Sequence, residues 1–121
     1  MRMWHVNPKV MCRQHLLGEH VEMHMFVGTI AKGVSIKGYA EQGLVDTRLI
    51  QARHDCLAAE IEQRGYDHHS PMLYQDSLAA GAVDMRLSEA ELLKRCPECR
   101  ARYQQLQAKR RARKTRVISP V

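Results

Sequence analysis

The sequence of 121 residues has few aromatic side chains and no long apolar run. Phenylalanine, tryptophan and tyrosine make up only 5% of it, so a hydrophobic core has to come from aliphatic side chains and from the seven methionines. No apolar stretch approaches the roughly 18 residues of a membrane-spanning helix, so we predict no association with a membrane. The length suits one domain with a core of modest size.

The sequence also lacks the pattern of a disulfide-rich secreted protein. Four cysteines in a methionine-rich chain without a signal-peptide pattern indicate a reducing cytoplasm. Cys96 and Cys99 form a single CxxC, which can supply half of a zinc site. With no second CxxC, the site would have to be completed through the fold by Cys12, Cys56 or a histidine. Thiols without a ligand role are the alternative, and we predict no metal and no cofactor.

Acidic residues are scarce near the C-terminus. From residue 94 onward, ten of the nineteen basic residues are opposed by Glu98 alone. Together with a net charge of +6 and a pI of about 9.4, this bias favours a polyanionic partner such as nucleic acid. We therefore predict DNA contacts from Arg100 and Arg102. We divide the chain into a helical domain over residues 1–108 and a basic tail over residues 109–121 that orders, if at all, on DNA.

The spacing of apolar residues and capping signals predicts an all-α fold. Asn7 and Pro8 are typical of a helix start, and the pattern continues to about Ala31. A second helix is predicted from Asp46 or Thr47 to about residue 64, before a glycine. Residues 88–91 (SEAE) fit a capping box that opens a third helix, which the proline at position 97 should interrupt.

The remaining segments carry weaker signals. Residues 33–43 contain three glycines and indicate a loop. Residues 72–82 fit either a short helix or an ordered loop. We therefore expect a single compact domain of about three main helices, with the N-terminal segment packed between them and the basic tail at the C-terminus.

The first predicted helix has an unusual charged face. On a 3.6-residue repeat, one face carries His15, Glu19, Glu22 and Phe26. A second stripe that could pack inward contains Leu17, Val21 and Ile30. A histidine and two carboxylates in line suggest a site rather than a core.

The N-terminus can reach this charged face. Arg2 is too large for the usual removal of the initiator methionine, so we expect Met1 to keep a free α-amine. An α-amine has a pKa near 8, about two units below that of lysine, so more of it is neutral and nucleophilic near pH 7. The helix from Pro8 to Glu22 spans about 21 Å, and an extended segment from Pro8 back to Met1 spans about 23 Å. The amine can therefore reach Glu22 if the segment folds back along the helix.

Histidines offer a competing type of site. His20 and His24 are four residues apart and could chelate a metal on the helix, although they lack the HExxH order. His68 and His69 are adjacent in a predicted polar loop, where solvated side chains are the alternative to metal binding.

The N-terminal half resembles a known family. The stretch CRQHLLGEHVEMHMFVGTI, with the opening MRMW, is similar to the pyrimidine-dimer DNA glycosylases of the phage endonuclease V type. In that family an arginine follows the catalytic N-terminal residue, a Gln-His-Leu lies early in the first helix, and a catalytic glutamate follows that histidine by seven residues. The corresponding residues are Arg2, the triplet at 14–16 and Glu22. A second patch, RHDCLAAEIEQRGY from Arg53 to Tyr66, resembles the family's second helix.

The resemblance implies a base-excision DNA repair enzyme without a cofactor. Such an enzyme is a DNA glycosylase with AP lyase activity, acting on UV pyrimidine dimers or another damaged base in double-stranded DNA. The resemblance assigns imine formation to the α-amine of Met1 and general acid/base catalysis to Glu22. It implies contacts of Arg2 and His15 with phosphates or the flipped-out nucleotide, and we further predict that Gln14, His20 and Arg53 bind DNA. We expect a monomer in the cytoplasm of a bacterial cell or a phage-infected host.

Two other classes of function stay open from the residues alone. The first is a non-catalytic basic DNA-binding module, stapled by zinc through Cys96 and Cys99. The second is a metal-dependent nuclease that uses His20, His24 and Glu19.

Overall fold

The computed structural model describes residues 1–68 and 70–118, and the side chains of that part up to residue 114. Within it the chain is all-α, as predicted, and no β-strand is formed. Its five helices are α1 (Arg13–Ala31), α2 (Lys37–Glu41), α3 (Ile50–Gln63), α4 (Met85–Arg95) and α5 (Pro97–Ile118). Two short 3₁₀ turns, Pro8–Val10 and Thr47–Leu49, precede α1 and α3. None of the described helices is both long and apolar enough to cross a membrane.

The N-terminal segment packs inside the helical domain, as expected. Met3, Trp4 and Val6 are buried in the core. The backbone N–H of Met3 donates to the carbonyl of Leu44 at 2.6 Å, and the hydroxyl of Ser88 donates to the carbonyl of Trp4. The segment is therefore fixed between the loop before α3 on one side and α4 on the other.

Helix α1 begins later than predicted. The side chain of Asn7 does act as a cap, but for the single 3₁₀ turn, where it accepts from the N–H of Lys9 at 3.1 Å. Met11 and Cys12 are then extended, and the Cys12 thiol caps α1 proper by accepting from the N–H of His15. The helix start predicted at Asn7 was wrong, because Asn7 caps the 3₁₀ turn and Cys12 caps α1.

The inward face of α1 also differs from the prediction. Its fully buried side chains are those of Leu16, Glu19, Met23 and Phe26. Val21, assigned to the inward stripe, is 55% exposed. At 100° per residue, Val21 lies nearly opposite the direction shared by the buried side chains, so the proposed stripe was wrong at this position.

A buried ion pair joins α1 to α3. The guanidinium of Arg53 donates to both carboxylate oxygens of Glu19, at 2.6 and 2.8 Å, and to the carbonyl of Val6 at 2.7 Å. The Glu19 side chain is fully buried and that of Arg53 is 5% exposed. A bidentate pair of this kind fixes orientation as well as distance. The predicted contact of Arg53 with DNA is therefore corrected, because its guanidinium is enclosed by the protein.

Other boundaries were predicted with mixed success. Pro97 ends α4 and opens α5, and a left-handed Gly65 follows α3, as predicted. A short helix, α2, lies inside the predicted 33–43 loop. The capping box at 88–91 was wrong, because Asp84 caps α4 through the N–H groups of Arg86 and Leu87. Residues 72–82 form no helix.

Helix α5 continues past the predicted domain boundary. It runs from Pro97 through residue 108 to Ile118, so the backbone of residues 109–118 is helical. Residues 119–121 of the predicted tail lie outside the described residues. The division at residue 108 stays a prediction.

Gly81 is required where the loop after α3 approaches α2. Its φ is +82°, and an added Cβ would lie 2.0 Å from the carbonyl oxygen of Val45 and 3.2 Å from Ala40. Next to it, the N–H of Ala80 donates to the Thr47 hydroxyl and the N–H of Thr47 donates to the Ala80 carbonyl, both at 2.9 Å. Any side chain at Gly81 would have to break this docking.

We expect the Arg53→Met substitution to lower the free energy of unfolding by about 3 to 5 kcal/mol, because it leaves the Glu19 carboxylate buried without its partner. Urea denaturation measures this loss. Changing Glu19 to Met as well should recover part of it. Lys37→Met, which removes an exposed pair with Glu41, is the control and should change stability by less than about 1 kcal/mol. A loss that small for Arg53→Met would contradict the assigned role.

We expect Gly81→Ala to cost more than about 1 kcal/mol of stability, since it adds strain at positive φ and a clash with backbone. Gly38→Ala is the matched control, because Gly38 lies in α2 with nothing within 4 Å of an added Cβ. Thermal unfolding of both variants should separate them. Equal melting temperatures would show that the loop adapts to a side chain at position 81.

Candidate active-site cleft

A cleft of about 430 Å³ opens where the N-terminal segment, the first half of α1 and the end of α4 meet. It is lined by Met1, Arg2, Trp4, Gln14, His15, Gly18, Glu19, Glu22 and Arg95. His15, Gly18 and Glu22 recur at three- and four-residue spacing, so they lie on one side of α1, next to its buried face. Another cavity of about 360 Å³, near Ile36 and Leu78, is mostly apolar and gathers no comparable set of titratable groups.

Glu22 is half-buried in the cleft, and its carboxylate interacts electrostatically with the N-terminal amine. Burial raises the pKa of its carboxyl group above the usual value. Three neighbours oppose this shift: the positive charge of the Met1 α-amine, the backbone N–H of Arg2, which donates to the carboxylate, and the Arg2 guanidinium. The carboxylate therefore lies close to both the amine and the first peptide group of the chain.

Two arginines approach the single tryptophan at this cleft. The guanidinium carbon of Arg2 lies 3.8 Å from the centre of the Trp4 ring, and that of Arg95 lies 5.9 Å from it. Burial and the charge of Arg95 lower the pKa of the Arg2 guanidinium. The Nε of Arg2 is buried and has no hydrogen-bond partner within the described part of the chain. Arg95 also pairs with Glu91 at 2.5 Å, so the unpaired donor of Arg2 is the group at this cleft best suited to an anionic ligand.

Comparison with known proteins identifies the family. The sequence profile of the pyrimidine dimer DNA glycosylases matches residues 1–74, more than half of the chain. The chain belongs to the pyrimidine dimer DNA glycosylase family. The members of this family are DNA repair glycosylases that act on pyrimidine dimers. No curated relative and no solved structure matches the chain closely enough to add to this.

Most of the residues that line the cleft lie in the matched range 1–74. Of the residues predicted for the site, the structure brings together Met1, Arg2, Gln14, His15 and Glu22. Arg100 and Arg102 do not line it. The Nε of Arg100 donates to the carbonyl of Leu93 at 2.8 Å, and the Nε of Arg102 donates to the carbonyl of Lys9 at 3.0 Å. Their contact with DNA stays a prediction.

Sequence reasoning missed two residues of the cleft. Trp4 was part of the family-like opening MRMW but was given no role. Arg95 was counted only as one of many basic residues near the C-terminus. The lone tryptophan two residues after Arg2 was a usable signal for a cation–π contact. No local pattern could reveal Arg95, because its position depends on how the end of α4 packs against the N-terminal segment.

A cluster of histidines lies on another side of α1. The Nε2 atom of His20 is 3.1 Å from that of His54 and 2.9 Å from that of His68. His54 also contacts the carbonyl of Ser70 and the carboxylate of Asp55. The tautomer of each ring decides which of these contacts is a hydrogen bond and which atom donates. The predicted DNA contact of His20 is corrected, since its side chain is 7% exposed and faces other imidazoles.

The histidine cluster also changes the predicted metal-binding set. His24 packs on His20 with ring centres 5.0 Å apart, but the set whose donor atoms converge is His20, His54 and His68. Glu19, the proposed acidic partner, is held by Arg53. The prediction for His69 lies outside the described residues. The His20, His24 and Glu19 nuclease site therefore has no counterpart among the described side chains.

A cluster of thiols lies beside the cleft. Cys12, Cys96 and Cys99 are buried, and their sulfur atoms converge with the Nδ1 of His15. Cys56 is exposed on α3 and takes no part. The fold thus completes the CxxC with Cys12 and His15, two residues that the sequence places more than eighty positions away.

We expect the stability of the protein to fall as the pH drops from about 7 to about 5. Burial and the neighbouring histidines lower the pKa of His20 to about 4, so in this range the unfolded state binds a proton that the folded state excludes. His20→Gln keeps a polar side chain without a titrating group, and should reduce the proton uptake on unfolding by up to about one. Urea titrations at several pH values measure it. Equal pH slopes for the two proteins would contradict the assigned shift.

Proposed function

We propose that this protein removes UV pyrimidine dimers from double-stranded DNA and then cuts the strand at the resulting abasic site. The α-amine of Met1 is the nucleophile and Glu22 is the general acid/base. The observation that carries the proposal is the shared cleft, in which the charge of the amine acts on the Glu22 carboxylate. The family supports the substrate, since its members are pyrimidine dimer glycosylases.

The chemistry proceeds through an imine. The neutral amine attacks C1′ of the damaged nucleotide, a C–N bond forms, and the bond to the base breaks with its electron pair leaving on the base. Loss of a proton from nitrogen and opening of the sugar ring at O4′ give an imine between protein and sugar. Removal of a C2′ proton then expels the 3′ phosphate, which cuts the strand by β-elimination. Water releases the sugar and restores the amine.

Glu22 is suited to the proton transfers in this sequence. A carboxyl group whose pKa lies above the usual value exchanges protons more readily near neutral pH. Glu22 can accept the proton of the attacking amine, protonate O4′ and remove the C2′ proton. The same carboxylate favours the charged ammonium, so the nucleophile has to lose its proton before it attacks. The mechanism also requires Met1 to be the first residue of the mature chain, with no group attached to its amine.

The cationic side of the cleft supports binding to DNA. A phosphate between Arg2 and Arg95 would relieve their mutual repulsion and give the unpaired Arg2 Nε an acceptor. Gln14 and His15 lie at the same opening and can contact the backbone or the extruded nucleotide. Helix α5, with exposed basic residues on an axis of about 33 Å, extends the basic surface further. We propose that Arg100 and Arg102 contribute to it.

We expect Glu22→Gln to reduce strand cleavage of UV-irradiated duplex by at least about 100-fold. Sodium borohydride should trap a covalent protein–DNA adduct with the wild type, and blocking the α-amine should abolish it. Glu41→Gln is the matched control, because Glu41 is exposed, lies outside the cleft and pairs with Lys37 on α2. Strand cleavage that survives a blocked amine would overturn the mechanism.

The same assay separates the two other functions. Run without added metal and with EDTA present, it should give the adduct on both UV-irradiated and abasic duplexes. A metal-dependent nuclease would lose cleavage in EDTA and form no adduct. A non-catalytic module would bind DNA in a salt-sensitive manner without cutting it.

A further inference from the structure

Four potential metal ligands converge at the junction between α1, α4 and α5. The sulfur of Cys12 lies 3.8 Å from the sulfur of Cys96 and 3.2 Å from the Nδ1 of His15. The sulfur of Cys99 lies 3.8 Å from the same nitrogen. All four donor atoms lie within 4.8 Å of one another.

The two separations of 3.8 Å fit a tetrahedral zinc ion, and that of 3.2 Å is somewhat short for one. Zinc binds thiolate sulfur at about 2.3 Å and imidazole nitrogen at about 2.0–2.1 Å. In a regular tetrahedron, such bonds place two ligand atoms about 3.5 to 3.8 Å apart. A disulfide needs a separation of about 2.05 Å, so the contact between Cys12 and Cys96 is not one. We propose that Cys12, His15, Cys96 and Cys99 form a structural zinc site.

The burial of the cluster indicates a closed, structural site. Cys99 is fully buried, Cys12 is 4% exposed and Cys96 is 8% exposed. Four protein ligands leave no position open for water or substrate, which distinguishes structural from catalytic zinc.

Backbone N–H groups around the cluster donate to its sulfur atoms. The N–H of Cys12 donates to the sulfur of Cys99 at 3.2 Å, and the N–H of Cys99 donates to that of Cys96 at 3.3 Å. The N–H of His15 donates to the sulfur of Cys12 at 3.5 Å. Hydrogen bonds of this kind orient metal ligands and spread their negative charge.

Two helix N-termini add to this effect. Cys12 caps the start of α1, and Cys96 directly precedes Pro97, the first residue of α5. The N-terminal ends of α1 and α5, where the helix dipoles are positive, therefore lie beside these two sulfur atoms. Zinc at this position would replace the expectation, drawn from the sequence, that the protein holds no metal.

The zinc would connect two parts of the cleft. His15, one of its ligands, lines the cleft from α1, and Arg95 lines it from the residue before Cys96. The metal is therefore a positioning device that fixes the end of α4 against the start of α1. It takes no part in the imine chemistry, and the proposal depends only on the four ligands.

Metal analysis of the untagged, full-length protein tests the proposal without DNA. Protein expressed with added zinc and dialysed against EDTA should retain one zinc per chain, because its three sulfur ligands are buried. Cys99→Ser and Cys96→Ser should each lose most of that zinc. Cys56→Ser, which changes the exposed thiol, and His54→Gln, which changes the histidine cluster, should keep it. Zinc that is absent from the wild type, or lost only with His54→Gln, would overturn the proposal.

A cobalt experiment covers the case in which the serine variants fold poorly. Wild-type protein unfolded in chelator and refolded with cobalt(II) alone should show thiolate-to-cobalt charge-transfer absorption and the intense d–d bands of a tetrahedral site. Added zinc should displace the cobalt and remove both. A cobalt spectrum without thiolate bands would place the metal on histidines and overturn the assignment. Failure of the imine mechanism would leave both metal results unchanged, so the two proposals are tested separately.

Discussion

The buried pair between Glu19 and Arg53 determines how the rest of the molecule is arranged. Neither charge can be left alone at that depth, so α1 and α3 must meet with these two residues in register. The third contact of Arg53, to the carbonyl of Val6, fixes the N-terminal segment at the same point. Because Glu22 is one turn further along α1, this anchor brings the start of the chain beside it. One carboxylate of α1 thus holds the structure while the next lies in the cleft.

Helix α1 carries three chemically different surfaces. Leu16, Met23 and Phe26 face the core. His15 and Glu22 face the cationic cleft, and His20 faces a group of imidazoles on the far side of the buried stripe. Low aromatic content is offset by this arrangement, because methionine and leucine fill the core while the polar residues are paired with one another. The helix is therefore organised by polar contacts as much as by apolar burial, which explains why its amphipathic pattern is weak.

Predictions from the sequence succeeded at two local breaks, since Pro97 and the glycine after α3 follow from the backbone geometry of those residues. Met1 and Glu22 do share a cleft, although the helix assumed to begin at Pro8 begins at Arg13. The capping box at 88–91 and the inward stripe at Val21 were local predictions that failed. Other failures came from contacts distant in sequence. The pairing of Arg53 spans 34 residues, and the meeting of Cys12 with Cys96 spans 84. No periodicity within one helix encodes such contacts, so a buried arginine was taken for a DNA contact and the thiols for an incomplete set.

Pro97 divides one basic stretch between two helices. We call α4 the short limb and α5 the long limb. The short limb ends at Arg95, which reaches the tryptophan in the cleft. The long limb, 22 residues in Pro97–Ile118, has an axis of about 33 Å, close to the length of one full turn of B-form duplex. A straight helix of the same composition would have carried all of its charge along a single line. Under the proposed function, these two limbs would contact a single nucleotide and a whole turn of its flanking duplex at the same time.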